Sequence, residues 1–217
     1  MTRAPQARVG RRMAEPLRFA MENVSTIPVQ RLGASAAAQY LEHLLALPPE
    51  DARLRFGSAV SAETIAKYVD GIDFDADEVF GVHGEGLQLV GAAHLAFSSD
   101  AAELGVSVLP GQRGRGVGAA LVARAAEHAR NRRIPQLFIH CLAENAAMIR
   151  IARRARMEVV IDSGDADAHV ALPPADSRSR HSEFLAERVA IYDFALKSHV
   201  ETLRRVGLAL AGGGKRR

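Results

Sequence analysis

The most informative segment lies near the middle of the chain and reads Leu104-Gly105-Val106-Ser107-Val108-Leu109-Pro110-Gly111-Gln112-Arg113-Gly114-Arg115-Gly116-Val117-Gly118-Ala119-Ala120-Leu121. Its pattern indicates a β-strand that ends at a proline, a glycine-rich turn, and a helix that begins directly after the turn. Glycines let the backbone approach an anion closely, and the first amides of a helix are unpaired donors at the positive end of its dipole. The segment therefore predicts an anion site suited to a pyrophosphate.

Part of this segment, from Arg113 to Gly118, resembles the Arg/Gln-x-x-Gly-x-Gly/Ala loop of the GCN5-related N-acetyltransferase (GNAT) family. The resemblance implies that acetyl-CoA binds here as co-substrate. The loop amides would hold its pyrophosphate, and the backbone of the preceding strand, at Val106 and Val108, would hold its pantetheine arm. The loop residues assigned to acetyl-CoA in this way are Arg113, Gly114, Arg115, Gly116, Val117 and Gly118.

A second segment, Asn145-Ala146-Ala147-Met148-Ile149-Arg150-Ile151-Ala152-Arg153-Arg154-Ala155-Arg156-Met157, is similar to the second motif of the same family. There an asparagine after the fifth strand contacts the CoA arm, which implies that role for Asn145. Many relatives place a tyrosine in this motif to protonate the leaving thiolate, but Ala152 stands at the matching position. The usual Gly-Phe end of the motif is Arg156-Met157 here, so the proton donor and the helix exit both depart from the family pattern.

The surrounding pattern fits the α/β (α+β) fold class, with a mixed, mostly antiparallel central sheet flanked by helices and an extra C-terminal helix. The resemblance covers roughly residues 24–172 and implies the acyl-CoA N-acyltransferase fold. The strand Gln136–Leu142 has apolar residues on both faces, which indicates a strand covered on both sides. The other predicted strands are Ser25–Arg31, Glu78–His83, Leu87–Phe97, Glu103–Leu109, Glu158–Asp162 and Ala168–Leu172. The predicted helices carry Ala38 to Leu45 before a stop at Pro48-Pro49, Ser61 to Gly71, Gly116 to Arg130, and Asn145 to Arg154.

A dinucleotide-binding turn is the alternative interpretation of the glycine loop. Gly114 to Ala119 also satisfies G-x-G-x-x-G/A, and Glu144 ends the next strand. In a dinucleotide fold, however, the first glycine follows its strand directly and the unit normally opens the domain. Here residues 110–113 intervene and an antiparallel meander comes first, so this alternative fits less well.

Transfer of an acetyl group from a thioester to an amine needs a neutral amine, donors for the developing oxyanion, and a proton for the thiolate. If Ser98–Ala101 closes a hairpin, His94 and Glu103 are diagonal neighbours on one sheet face and could relay a proton. A pair that merely faces solvent is the alternative. His140 lies in the fifth strand where some relatives carry a catalytic glutamate, although a histidine there can also be a satisfied core residue. The catalytic candidates are therefore Glu103, His140 and His94.

Composition limits the other functions. The chain has 217 residues, 48% of them hydrophobic, one cysteine and a formal net charge of +3. Basic residues concentrate at the two ends, which predicts solvated termini and no specific nucleic-acid binding. No segment has the length and apolarity of a membrane span or a signal core, so we expect a cytoplasmic protein. Cys141 points away from His140 and is expected in the core, and the dispersed histidines predict no metal site.

We expect four segments: a basic, disordered tail at residues 1–22, the acetyltransferase domain at 23–175, a helical extension at 176–211 and a flexible tail at 212–217. Between Ser182 and Val206, apolar residues recur every three or four positions, which is typical of a helix that packs on another surface. That surface is either the chain's own domain or a second copy in a homodimer. The residues of this stripe are Leu185, Val189, Tyr192, Leu196, His199 and Leu203.

The resemblance thus implies an N-acetyltransferase that transfers the acetyl group of acetyl-CoA directly to a primary amine of an unidentified small molecule or peptide. By the same resemblance, residues 34–73 build the acceptor pocket. A non-catalytic CoA-binding or protein-interaction module with the same fold remains the alternative, because Ala152 replaces the usual tyrosine.

Overall fold

The computed structural model describes residues 27–213, which form a seven-stranded sheet with helices on both faces. The strands lie in the order β1-β2-β3-β4-β5-β7-β6, and every neighbouring pair in the sheet is antiparallel except β4 with β5. Their bounds are β1 Gln30–Leu32, β2 Glu78–His83, β3 Leu89–Phe97, β4 Ala101–Val108, β5 Gln136–Leu142, β6 Glu158–Asp162 and β7 Asp165–Ala171. The antiparallel meander from β2 to β4 is therefore confirmed.

Six helices cover this sheet within the described residues, and their bounds are α1 Ala37–Leu45, α2 Pro49–Phe56, α3 Ala62–Asp70, α4 Val117–Asn131, α5 Ala146–Arg154 and α6 Ser177–Gly213. Two buried clusters separate the faces. On the α4 face, Leu104, Leu121 and Leu137 belong to the larger cluster, which also includes residues of α5. On the α1 face, Tyr40 and Val69 pack with strand residues of β2 and β3. Burial of these apolar surfaces on the two faces stabilises the sheet.

The sequence interpretation missed α2, because Pro48-Pro49 was taken only as the end of α1. Pro49 is the first residue of α2, where its fixed φ is compatible with a helix and its missing N–H costs nothing. Glu50 and Asp51 follow in the first turn, where carboxylates interact favourably with the helix dipole. Gly57 then ends the helix in the left-handed conformation, with φ of 78°.

The prediction that β5 is covered on both sides is wrong. Leu137, Ile139 and Cys141 are buried on the α4 face, whereas His140 on the opposite face is exposed and Phe138 is only half-buried. The reason is that the helices of the α1 face pack mainly on β3 and β4 and reach β5 mainly through α2. Apolar residues on both faces of this strand are therefore no evidence that helices cover both of its faces.

The C-terminal helix packs against the body, but not through the predicted apolar stripe. Arg124 of α4 forms ion pairs with Glu183 and Glu187, and Lys197 donates to the carbonyl of His83. The apolar stripe points away: Tyr192 is 74% exposed and Leu196 67%. The alternative in which the stripe folds back on its own domain is therefore wrong for this helix.

Two further expectations concern the ends of the chain. The helix extends to Gly213, so the first two residues of the predicted flexible tail are helical. The predicted basic tail at 1–22, the start of the first predicted strand and residues 214–217 lie outside the described residues. None of the helices in the described range is long and apolar enough to cross a membrane.

Candidate functional site

The central feature of the site is a split between β4 and β5, which we define as residues 104–108 and 139–142. The two strands pair only at Ala101–Glu103 with Gln136–Phe138. Beyond this point β4 stays paired with β3 as far as Val108, and β5 stays paired with β7 as far as Leu142. Within the described residues, the edge of β4 at Val106 and Val108 therefore has no strand partner on the β5 side. An edge of this kind offers backbone donors and acceptors to an extended ligand.

The glycine loop lies at the end of β4. It contains a 3₁₀ turn at Pro110–Gln112, and Gly114 and Gly116 adopt φ values of 73° and 88°. These left-handed conformations are costly for any residue with a side chain. Gly116 is the N-cap of α4 without a side-chain cap, and in the described part of the chain the amides of residues 114–119 form no backbone hydrogen bond. The predicted anion site is thus a row of unpaired amides at the positive end of α4.

The remaining loop residues have different roles. A Cβ on Gly118 would lie 2.9 Å from Cδ1 of Ile151, so this glycine lets α4 approach α5 closely. Val117 is buried and packs in the same way against Gly91 of β3. Arg115 is exposed, and its guanidinium lies 3.4 Å from Oε1 of Gln112.

Arg113 and Asn145 both link the anion site to α2. Arg113 donates from Nε to the carbonyl of Val108 at 3.2 Å and forms an ion pair with Asp51 of α2. Asn145 caps α5, since its Oδ1 accepts from the amide of Met148 at 3.0 Å. Its Nδ2 lies 3.5 Å from the carbonyl oxygen of Leu54 in α2. The side chain that the resemblance assigns to the CoA arm is therefore also a helix cap.

Helix α2 lies across the split on the α1 face and contacts both β4 and β5. Arg53 pairs with Glu144 just after β5. Arg55 lies on β4 so closely that a Cβ on Gly105 would be 2.3 Å from its Cζ. The element that the sequence interpretation missed thus covers the mouth of the split. The signals that identify it are Pro49 at its first position, the acidic first turn and Gly57.

His94 and Glu103 lie on the same sheet face, as predicted. Ser98 donates its backbone amide to Ala101, so the hairpin closes there, and Ala96 lies opposite Glu103. The partners of the imidazole, however, are Tyr68 and Asp77 rather than Glu103: Nδ1 is 2.7 Å from the Tyr68 hydroxyl and Nε2 is 3.2 Å from Oδ2 of Asp77.

These hydrogen bonds determine which atoms of Tyr68 and His94 carry a proton. Asp77 can only accept, so Nε2 carries the ring proton and the hydroxyl of Tyr68 donates to Nδ1. Burial of His94 lowers the pKa of its imidazole below the ordinary value, although Asp77 opposes the effect. A neutral imidazole of this kind can accept a proton through Tyr68. Sequence reasoning missed Tyr68 because its spacing from His94 carries no signal.

His140 lies in a different environment, in a cavity of about 580 Å³ on the α1 face. It forms an ion pair with Asp167 of β7, and both side chains are more than half exposed. The hydrogen bond to Asp167 raises the pKa of His140 above its ordinary value. The core-histidine alternative is therefore wrong. Glu103 also lines this cavity, together with Phe138 and residues at the β3–β4 turn.

The departures in the second motif have structural consequences. Ala152 is buried in α5 against the core of the α4 face and provides no hydroxyl. Arg156 has φ of 59°, so it adopts the left-handed conformation for which a glycine is usual, and Met157 is buried in the core. The helix exit keeps the geometry that a glycine favours despite the different residues.

Comparison with known proteins agrees with this geometry. A family model described as the acetyltransferase (GNAT) family matches residues 40–156, which is more than half of the chain. No curated protein sequence gives a match. The strand before the glycine loop is antiparallel to β3, so the dinucleotide-binding alternative, which requires a parallel sheet there, is wrong.

Among solved structures, the fold is similar to that of the GNAT domain of Streptomyces lividans PAT, with 20% identity, TM-score 0.57 and coverage of 66% of this chain and 89% of that chain. It is also similar to the ribosomal-protein-S18-alanine N-acetyltransferase of Escherichia coli, with 16% identity, TM-score 0.53 and coverage of 69% and 96%. A spermidine N-acetyltransferase chimera built in part from the Vibrio cholerae protein has 16% identity, TM-score 0.51 and coverage of 66% and 96%. The match to the family model and the shared fold together show that this chain belongs to the GNAT acetyltransferase family.

Proposed function

We propose that this protein transfers the acetyl group of acetyl-CoA directly to a primary amine. The observation that carries the proposal is the connection of two chemically different sites through one opening in the sheet. Unpaired amides at the start of α4 lie beside the open edge of β4, and the titratable groups Tyr68, His94, Glu103 and His140 lie on the α1 face. This arrangement suits a donor and an acceptor that meet within the split.

The donor would extend from the glycine loop along β4. Its pyrophosphate would accept from the amides of residues 114–119, and its pantetheine arm would pair with the backbone at Val106 and Val108. Asn145, at the start of α5 on the other side of the split, would contact the arm. The backbone amides of β4 would stabilise the oxyanion of the tetrahedral intermediate.

The proton of the attacking amine would pass through Tyr68 to His94, whose imidazolium Asp77 would stabilise. Orientation of the imidazole by a carboxylate is the same arrangement that supports general-base histidines in hydrolases. The Tyr68 hydroxyl could return the proton to the departing thiolate. It would thereby supply the acid that is missing at Ala152.

Glu103 and His140 would act on the acceptor in the adjacent cavity. Glu103 and Asp167 give this cavity two carboxylates, which attract an ammonium ion. Either Glu103 or His140 could also take a proton from the incoming ammonium before attack, so both remain catalytic candidates beside His94.

The experiment that tests the function is amine-dependent release of the CoA thiol, measured with polyamines, aminoglycosides, amino acids and peptide N-termini. We expect at least one class to release thiol and to gain an acetyl group in equal amount, because the split brings the thioester to the titratable groups. Binding of acetyl-CoA without release for any class would favour the non-catalytic module.

We also propose that the protein is a homodimer through α6. The exposed stripe keeps alternating spacings of four and three residues, the repeat that two packed helices share. It lies opposite the face that carries Glu183, Glu187 and Lys197, so two bodies would lie on opposite sides of the paired helices. Soluble monomers seldom expose a continuous apolar stripe, and a two-fold dimer is the commonest cover.

Light scattering of the full-length protein at micromolar concentration tests the dimer. We expect a dimer for the wild type and a monomer for Leu196→Glu, since a charge in the stripe would have to be buried in the interface. Arg205→Glu, which changes an exposed residue of the same helix outside the stripe, should remain a dimer. A wild-type monomer would contradict the proposal.

A further inference from the structure

Arg55 carries a charge at the mouth of the split that no carboxylate among residues 27–213 pairs with. Its Nη2 donates to the hydroxyl of Tyr68 at 2.8 Å, and the hydroxyl of Tyr40 is a further hydrogen-bond partner. Burial raises the pKa of Tyr40, so that phenol stays neutral. In the part of the chain that the structure describes, no carboxylate forms an ion pair with this guanidinium, and its buried Nε has no hydrogen-bond partner.

The packing around Arg55 holds the guanidinium in place without compensating its charge. The rings of Phe56 and Tyr68 lie with their centroids 5.1 and 5.6 Å from its Cζ. Cation–π contacts offset only part of the cost of removing a cation from water, and a charge left without a counterion destabilises the fold. A partly buried guanidinium with an unpaired donor is therefore a group suited to an anion.

The guanidinium lies close to the groups that we propose take part in the reaction. The guanidinium lies on Gly105, two residues beyond the last pair between β4 and β5, where any side chain on β4 would displace it. The Tyr68 hydroxyl that it contacts is also the partner of His94. Arg55 is on the α1 face, opposite the helix α4 whose first amides form the anion site of the glycine loop.

We propose that Arg55 binds a carboxylate of the acceptor, so that the acceptor is a carboxylate-bearing amine such as an amino acid. This inference rests on the proposed function. Guanidinium groups bind carboxylates through two parallel hydrogen bonds, and the unpaired Nε would provide one of the donors. Glu103 lies two residues from Gly105 on the same strand face, about 7 Å along β4. Because Arg55 lies on Gly105, a positive and a negative group face the acceptor from neighbouring positions of one strand face, as the ammonium and carboxylate of one small molecule require.

The acyl chain of the donor could also carry a carboxylate, and the charges on the α1 face argue against it. A carboxylate on the acyl group would meet Arg55 without bringing a cation for Glu103 and Asp167, whereas an amino acid brings an ammonium that these two carboxylates attract. The geometry thus assigns the carboxylate to the acceptor.

The test compares amino acids with their C-terminal amides as acceptors, using kcat/KM from CoA thiol release with acetyl-CoA. We expect the wild type to prefer the carboxylate by about 100-fold or more, since the amide leaves the guanidinium without a counterion. Arg55→Gln should bring the ratio close to one. Arg53→Gln on the same helix, whose side chain already pairs with Glu50 and Glu144, should keep the wild-type ratio.

Each outcome decides one question. A wild-type ratio near one overturns the inference without any variant, while thiol release with either acceptor leaves acetyl transfer intact. A preference for succinyl-CoA over acetyl-CoA with the amides, lost in Arg55→Gln, would assign the carboxylate to the donor and also overturn it. If no amine releases thiol, the proposed function fails and this inference fails with it.

Discussion

Gly116→Glu is expected to weaken acetyl-CoA binding by at least about 100-fold, equivalent to about 2.8 kcal/mol. Two effects combine. The φ of 88° at this N-cap is unfavourable for a residue with a side chain, and the new carboxylate would lie where we propose that the pyrophosphate accepts from the amides of α4. Calorimetric titration of acetyl-CoA into the folded variant measures the change.

Two control variants separate these effects. Gly116→Ala introduces the backbone strain without the charge and should cost less. Gly111→Glu places the same charge on the preceding turn, at a position with open space and no positive φ, and should bind acetyl-CoA much more tightly than Gly116→Glu. Wild-type affinity in a folded Gly116→Glu protein would show that the loop is not the donor site.

His94→Gln is expected to lower kcat/KM by about 100-fold or more, the contribution of a positioned general base. Tyr68→Phe should have a similar effect, because it removes the hydroxyl that connects the amine to the imidazole. Glu103→Gln and His140→Ala should act mainly through KM if these residues bind the acceptor. A loss of about 100-fold in His140→Ala, with His94→Gln near wild type, would transfer the role of base to His140.

The pH profile of kcat/KM distinguishes the two histidines by its sign and position. A base must be unprotonated, so activity falls as pH falls through its pKa. Burial lowers the pKa of His94, which places that decline below the ordinary value of 6.5. Asp167 raises the pKa of His140, so a decline caused by this residue would lie above 6.5. If the decline of kcat/KM below the ordinary histidine pKa disappears in His94→Gln, the proposed proton path is supported.

Much of the proposed donor site follows from local sequence. Glycines at positive φ, a strand that ends at Val108 shortly before Pro110 and a helix that begins at Val117 are local properties, so the loop could be predicted at residue level. The hairpin register followed in the same way, because the turn at Ser98–Ala101 fixes which residues of β3 and β4 share a face.

The acceptor side could not be predicted in this way. Arg55, Tyr68 and His94 come from three separate elements, and their contact depends on how α2 and α3 pack on the sheet. Which residues of β5 are buried also depends on how far the neighbouring helices extend over the sheet, and the sequence of the strand does not contain this information. For α6, periodicity identified an apolar stripe but gave no information about which face the ion pairs of Arg124 would hold against the body.

Amide hydrogen exchange of the wild-type protein, with and without acetyl-CoA, tests most directly whether the donor binds in the split between β4 and β5. The proposed binding mode predicts slower exchange for the backbone at residues 105–108, for the loop amides at 114–119 and for the start of α5 at 145–148. Helix α6 should be unaffected. Saturating acetyl-CoA that leaves β4 and the loop unprotected, or that protects a different part of the sheet, would contradict the account.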